Sequence, residues 1–134
     1  RKIIKEIEKE RKNSFFHIFP SLEYKKFLAL EREAAVWVGN SSAGMVESSS
    51  FKVPVVNVGM RQIGRQRGEN VIDVGYDRKE IKKAIEKSLN DKRYLAELEK
   101  IKNPWGDGKT GPRVSKLLEE LKITPRLLTK QITY

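Results

Sequence analysis

The sequence contains no cysteine and a single histidine, His17, among 134 residues. Disulfides and thiolate-held metals are thereby excluded. One imidazole cannot build a zinc site without several carboxylates spaced to help it, so neither a metal nor a cofactor is expected. Long apolar runs are missing too. None approaches the roughly 20 residues needed to span a bilayer, and no secretory leader is visible, so a cytoplasmic protein is the expectation. An initiator methionine is also lacking. The chain opens at Arg1 inside a helical pattern, which predicts a piece of a longer protein.

What is abundant is positive charge. Lys and Arg outnumber Asp and Glu by 28 to 18, a net charge of +10, which invites a nucleic-acid reading. The distribution argues against it. Lys2, Lys5, Lys9 and Lys12 alternate with Glu6, Glu8 and Glu10, and Lys79, Lys82, Lys83 and Lys87 alternate with Glu80 and Glu86. Such spacing makes solvated helix faces with i,i+4 pairs. A basic RNA-binding module is the rival, and it requires aromatics exposed for stacking.

Helical and strand patterns alternate, the signature of an α/β domain with a parallel sheet. Ile3, Ile4 and Ile7 share one face of a helix ending near Lys12. The run from Phe15 to Phe19, closed by Pro20, reads as a buried strand, with His17 packed within it. Ser21 is placed to cap a helix that buries Tyr24, Phe27, Leu28 and Leu30 and ends near Arg32. Strands follow at Ala34–Val38, Val53–Val58 and Asn70–Val74, with a helix between about Gly44 and Phe51. Asp77 caps a helix burying Ile81, Ile85 and Leu89, and a shorter helix covers about Asp91 to Lys100. A turn-rich break at Asn103–Gly108 precedes a helix from Thr110 to Leu121, and Pro125 starts a short last segment.

Ligands of open parallel sheets bind beyond the carboxyl ends of the strands. Two loops meet that condition. The first, Gly39 to Gly44, consists of small residues that let backbone amides approach an anion at a helix start. Ser41 and Ser42 can add hydroxyl donors, and Glu47 stands one turn later, where a carboxylate can accept from a ribose diol. A plain capped helix start explains this loop's composition equally well. The second loop, Gly59 to Gly68, carries Arg61, Arg65, Arg67 and Gln62. Guanidinium forks bind phosphate oxygens bidentately, although a mobile basic surface loop has the same composition. Arg61 lies nearest the strand end, whereas Arg65 and Arg67 fall further into the part of the loop expected to be solvated.

The stretch VGNSSAGMVESSSFKVPVVNVGMRQIGRQRGENVIDV, from Val38 to Val74, resembles the signature of the hydrolysing UDP-N-acetylglucosamine 2-epimerases. The later NPWGDGKTGPR resembles that family's NPYGDG element, with Trp105 in place of the usual Tyr. Together they cover roughly residues 21–121. Non-hydrolysing relatives usually show a DSGG-type loop, so the GNSS and RQIGR segments favour the hydrolysing branch. A non-hydrolysing epimerase and a glycosyltransferase of the same fold are the enzyme rivals.

The resemblance implies a Rossmann-like parallel sheet with flanking helices, the C-terminal half of a two-domain fold of the glycosyltransferase-B type. Residues 1–105 would form most of the UDP-binding domain, and residues 106–134 would pack back toward an N-terminal domain. Ser41, Ser42, Ala43, Gly44, Glu47 and Arg61 match the UDP-binding positions, with Asn40, Gln62 and Arg65 behind them and the backbone of Phe19 to Leu22 near the uracil. The implied ligand is UDP-GlcNAc or UDP, with no nucleic-acid or membrane partner, and association into a homo-oligomer is compatible with the family. The implied reaction removes the sugar's C2 proton as UDP leaves C1, then adds water to release N-acetylmannosamine. Its acid and base groups are expected upstream of Arg1.

Overall fold

The computed structural model describes residues 2–10 and 13–129. Three short strands, β1 (Trp37–Gly39), β2 (Val55–Val58) and β3 (Val71–Val74), form a parallel sheet in the order β1-β2-β3. Gly39 pairs with Asn57 and Asn57 with Asp73, so the strands run level. Their following loops therefore leave the sheet at one edge, and loops far apart in sequence become neighbours. Central β2 is apolar at consecutive positions because both its faces are covered: Val55 and Val56 are fully buried.

The helices are α1 (Lys2–Lys9), α2 (Tyr24–Glu33), α3 (Ala43–Val46), α4 (Ser48–Phe51), α5 (Arg78–Asn90), α6 (Lys92–Leu98), α7 (Thr110–Glu120) and α8 (Pro125–Leu128). On the sheet, α5 packs against β2 and β3, and α3 against β1 and β2, while α2 lies against α4. Met45, Val53, Val55, Val56, Ala84, Tyr94 and Leu98 make the core. The Asp77 carboxylate accepts from the amides of Lys79 and Glu80 at 2.9 and 3.0 Å. Asp91 does the same for Arg93 and Tyr94, both at 3.0 Å. Each cap satisfies amides that the first helical turn leaves without partners.

Several sequence expectations change. The run from Phe15 to Phe19 is irregular rather than a buried strand: Phe15 is 89% exposed, Phe16 and Phe19 are also exposed, and so is His17. A strand needs a neighbour to receive its backbone hydrogen bonds, and none of the three described strands pairs with this segment. Ser21 does not cap α2. The cap position is Glu23, whose side chain makes no cap bond, and Ser21 lies too far before it for its hydroxyl to reach the first helical amides. Tyr24 and Leu30 are exposed, because α2 is covered on the side facing α4. The helix expected from Gly44 to Phe51 is divided at Glu47, which keeps helical dihedrals (φ −72°, ψ −41°) between α3 and α4. Leu89 is exposed at the end of α5. The expected end of the first helix, near Lys12, lies outside the described residues.

The segment after the turn-rich break packs differently from the rest. No residue of α7 is buried, and Val114, Leu117, Leu118 and Leu121 leave an apolar face open.

Candidate functional site

The first loop owes its shape to a tryptophan. The Trp37 ring lies against Gly39 and Gly44, where an added Cβ would stand 3.0 and 2.7 Å from ring carbons. The backbone can pass this close to the ring because neither position carries a side chain. Past β1 the chain turns through Asn40, Ser41 and Ser42, all exposed. The Ala43 amide donates to Ser41 Oγ at 3.3 Å, and the Ser42 carbonyl accepts from Met45 and Val46 at 2.9 and 3.1 Å. Gly44 is buried, and Glu47 follows half-buried at the junction of α3 and α4.

Gln62 joins the second loop to the first. It is 4% exposed, and its Nε2 donates to the Asn40 carbonyl at 2.7 Å. Arg61, the adjacent residue, is exposed, and among the described residues no side-chain partner engages the guanidinium of Arg61 or of Arg65. Both are available to an external anion.

Arg67 is different, and here the sequence expectation was wrong. Its guanidinium is not solvated but turned inward, pairing with both Asp73 carboxylate oxygens and donating to the Gln62 carbonyl at 2.7 Å. Asp73 Oδ1 also accepts from Asn57 Nδ2 at 2.7 Å, inside the sheet. Arg67 thus fixes the 59–68 loop to β3 and, through Gln62, to the first loop.

A second network lies behind the turn. Asn70 is fully buried, and its Nδ2 donates to Ser48 Oγ at 2.9 Å and to the Val53 carbonyl at 2.7 Å. Its Oδ1 accepts from Ser49 Oγ at 3.0 Å, and its carbonyl accepts from Tyr94 Oη at 2.9 Å. Ser48 Oγ in turn donates to the Gly44 carbonyl at 2.7 Å. The third serine, Ser50, accepts from Asn103 Nδ2 at 2.7 Å, and Trp105 Nε1 donates to the Met45 carbonyl at 3.0 Å. The turn-rich break is thereby tied onto α3 and α4. Beyond it, Arg113 forms a fork on Asp107 with two bonds of 2.7 Å, which holds the Asp107 carboxyl below its ordinary range.

Sequence reasoning did not single out Arg67, Asp73, Asn57, Ser48, Ser49 or Asn70 as partners. Glu31 was missed as well. It is buried, and burial first, with the Glu47 charge second, pushes its carboxyl up to about 7. The available signal was spacing: Glu31 follows Phe27 by four residues and Leu28 by three, on the apolar face of the helix.

A wide cleft opens between the 59–68 loop and α5, with Ile63, Ile72, Val74, Tyr76, Lys83 and Lys87 among its lining residues. It contains none of Ser41, Ser42, Glu47 or Arg61. Its walls are mainly apolar. Among the described residues, no group of three acidic or histidine side chains is arranged to hold a metal. No described helix is long and apolar enough to cross a membrane.

Comparison with known proteins gives a consistent picture. The sequence model of the family described as UDP-N-acetylglucosamine 2-epimerase matches residues 1–119. The UDP-N,N'-diacetylbacillosamine 2-epimerase (hydrolyzing) of Legionella pneumophila is 36% identical over 117 residues, covering 87% of this chain and 30% of the relative. The GDP/UDP-N,N'-diacetylbacillosamine 2-epimerase (hydrolyzing) of Campylobacter jejuni is 46% identical over 56 residues, covering 42% of this chain and 15% of the relative. A structure of the UDP-GlcNAc 2-epimerase of Methanocaldococcus jannaschii, in complex with UDP-GlcNAc and UDP, aligns with a TM-score of 0.65 at 28% identity. It covers 88% of this chain and 32% of that one. The chain therefore spans about a third or less of the length of the relatives it matches.

Proposed function

The chain belongs to the UDP-N-acetylglucosamine 2-epimerase family, and on that premise we propose that it is the UDP-binding part of a hydrolysing 2-epimerase acting on a UDP-linked acetamido sugar. The observation that carries this reading is the bond from Gln62 to the Asn40 carbonyl. It holds an arginine-bearing loop beside a serine-bearing turn, at the carboxyl edge of a parallel sheet, with Ser41, Ser42 and Arg61 exposed.

In this reading the hydroxyls of Ser41 and Ser42, the amide of Gly44, the amide of Ala43 once it leaves Ser41 Oγ, and the Arg61 guanidinium receive the diphosphate. Glu47 accepts from the ribose hydroxyls. Asn40 and Gln62 hold the two loops together, and Arg65 adds positive potential. As the C1–O bond breaks, the leaving diphosphate gains charge, so fixed donors bind the transition state better than the ground state. Proton transfer at C2 belongs to groups outside this chain. Residues 1–105 form the nucleotide unit. Residues 106–134 pack toward a further domain, a role supported by the open apolar face of α7. The partial pairing of the basic surface, as in Lys9–Glu6 and Lys82–Glu86, supports a cytoplasmic enzyme without nucleic-acid or membrane partners. The exposed Phe15, Phe16, Phe19 and Tyr24 meet the aromatic requirement of the RNA-binding rival, and salt-dependent RNA binding by the chain would favour that rival. Homo-oligomer formation is compatible with the same open face.

Product analysis of the whole enzyme with UDP-GlcNAc and UDP-N,N'-diacetylbacillosamine tests the proposal. The expected products are free sugar, inverted at C2, and UDP. Recovery of an intact UDP-linked epimer would make the enzyme non-hydrolysing, and failure to consume any UDP-sugar would overturn the reading.

A further inference from the structure

A turn outside the proposed nucleotide contacts holds both loops of the site. Three consecutive residues of the break after α6, Asn103, Pro104 and Trp105, each anchor a different element. Asn103 Nδ2 donates to Ser50 Oγ of α4 at 2.7 Å. The Pro104 carbonyl accepts from Gln66 Nε2 of the arginine loop at 3.3 Å. Trp105 Nε1 donates to the Met45 carbonyl of α3 at 3.0 Å. The turn also closes on itself, because the Trp105 amide donates to Asn103 Oδ1 at 2.9 Å. The element that needs such support is α3. It has four residues and no side-chain cap at Ser42. One helical turn is too short to be stable by itself, so the contacts around α3 set where its amides point. The Trp37 ring lies against Gly44, and Ser48 Oγ holds the Gly44 carbonyl at 2.7 Å. Trp105 adds a hold from a segment 60 residues further along the chain.

We propose that Trp105 is a positioning residue for the nucleotide site: with Asn103 and Pro104 it fixes the serine turn and the arginine loop relative to each other, so that the donors of both meet one diphosphate. The proposal rests on the nucleotide reading above. Gln62 bridges the two loops once, through the Asn40 carbonyl. The turn at 103–105 bridges them a second time, through α3 and α4 on one side and Gln66 on the other. Two bridges set both the distance and the direction of the loops, whereas one leaves a hinge. A hinged site has to be ordered when the ligand arrives, and that ordering is subtracted from affinity. Trp105 acts through Met45 and α3, not by touching the ligand. By reciprocity, bound UDP stabilises the Trp105–Met45 bond by the same factor by which that bond strengthens UDP binding.

The test is calorimetry and NMR of the chain with UDP, on wild type, Trp105→Phe and Gln66→Ala, well below their melting temperatures. Phenylalanine keeps an aromatic ring and removes the donor. Gln66 is exposed, so its replacement leaves the core intact. Trp105→Phe is expected to weaken UDP about fivefold, the weight of one hydrogen bond, and Gln66→Ala, whose bond is longer and exposed, about twofold. In the free protein Trp105→Phe should also shift the amides of Ser42 to Val46. Solvent exchange of the Trp105 indole proton should slow when UDP binds, a response that a bond serving only the fold would not give. Wild-type affinity in either variant, or indole exchange unchanged by saturating UDP, would overturn the positioning role while leaving the nucleotide site in place. Absence of UDP binding by wild type would overturn the nucleotide reading, and the positioning role with it.

Discussion

Arg61→Ala is expected to lower turnover of the whole enzyme about a hundredfold, the loss typical of one group that stabilises developing charge, and to leave the melting temperature near that of wild type. The two effects separate because Arg61 is exposed and, among the described residues, its guanidinium has no protein partner. Its charge makes no bond that holds the fold, and in the proposed reading it meets the diphosphate. Arg61→Lys keeps the charge but loses the planar fork, so it should recover only part of the rate. Arg67→Ala should behave in the opposite way. Removing the guanidinium leaves the Gln62 carbonyl without its donor and the Asp73 carboxylate with only the Asn57 amide, so stability falls first and the loop that presents Arg61 loosens with it. Steady-state kinetics and thermal unfolding on the three variants decide the matter. An Arg61→Ala enzyme with wild-type turnover would remove this arginine from the site.

Asn70→Ala carries the largest expected cost in stability. The side chain is fully buried and makes three hydrogen bonds that join α4, the approach to β2 and the turn before β3. Alanine would strand the Val53 carbonyl and the Ser49 hydroxyl in a site closed to water, and would leave Ser48 Oγ with the Gly44 carbonyl alone. Each buried polar group left without a partner costs about 1–3 kcal/mol, and the vacated volume adds to that. A loss of ~3 kcal/mol or more is expected, read as a lowered midpoint in urea with an unchanged slope. Because Ser48 also bonds the Gly44 carbonyl, the damage should spread to the anion-facing turn and weaken UDP binding. A change below about 1 kcal/mol would mean that the network tolerates the gap.

How much could be read in advance differed from element to element. The helix after Asp77 was legible because a cap, a 3.6-residue apolar period and a strand before it all agree. The central strand β2 was legible because a strand covered on both faces is apolar at consecutive positions, as at Val55 and Val56. The strands β1 and β3 lie at the sheet edges, partly exposed, and were marked by short apolar runs beside turn residues. The run from Phe15 to Phe19 shows the limit of that rule. Apolar residues mark a strand only where other elements cover them, and here nothing described does so. The two candidate loops were legible by residue type and place: Ser41 and Ser42 follow β1, Arg61 follows β2, and Gln62 joins the two loops. The division of labour among the arginines was not legible. Position along a loop does not reveal which guanidinium turns inward, since that depends on Asp73 in the next strand. The serines at 48, 49 and 50 looked merely polar. Their role follows from Asn70 and Asn103, which are distant in sequence and come close only in the fold.

The central claim is that the turn at Asn40–Gly44 and the start of the arginine loop receive a UDP diphosphate. Amide NMR of this chain titrated with UDP tests it most directly. The account predicts weak, saturable binding, because a single domain lacks the closure that a second would provide. It places the shifts at Asn40 to Glu47 and at Arg61 and Gln62, with their loss in Arg61→Ala and no turnover of UDP-GlcNAc by the chain alone. Shifts confined to the cleft beside α5, or no saturable response to UDP, would contradict it.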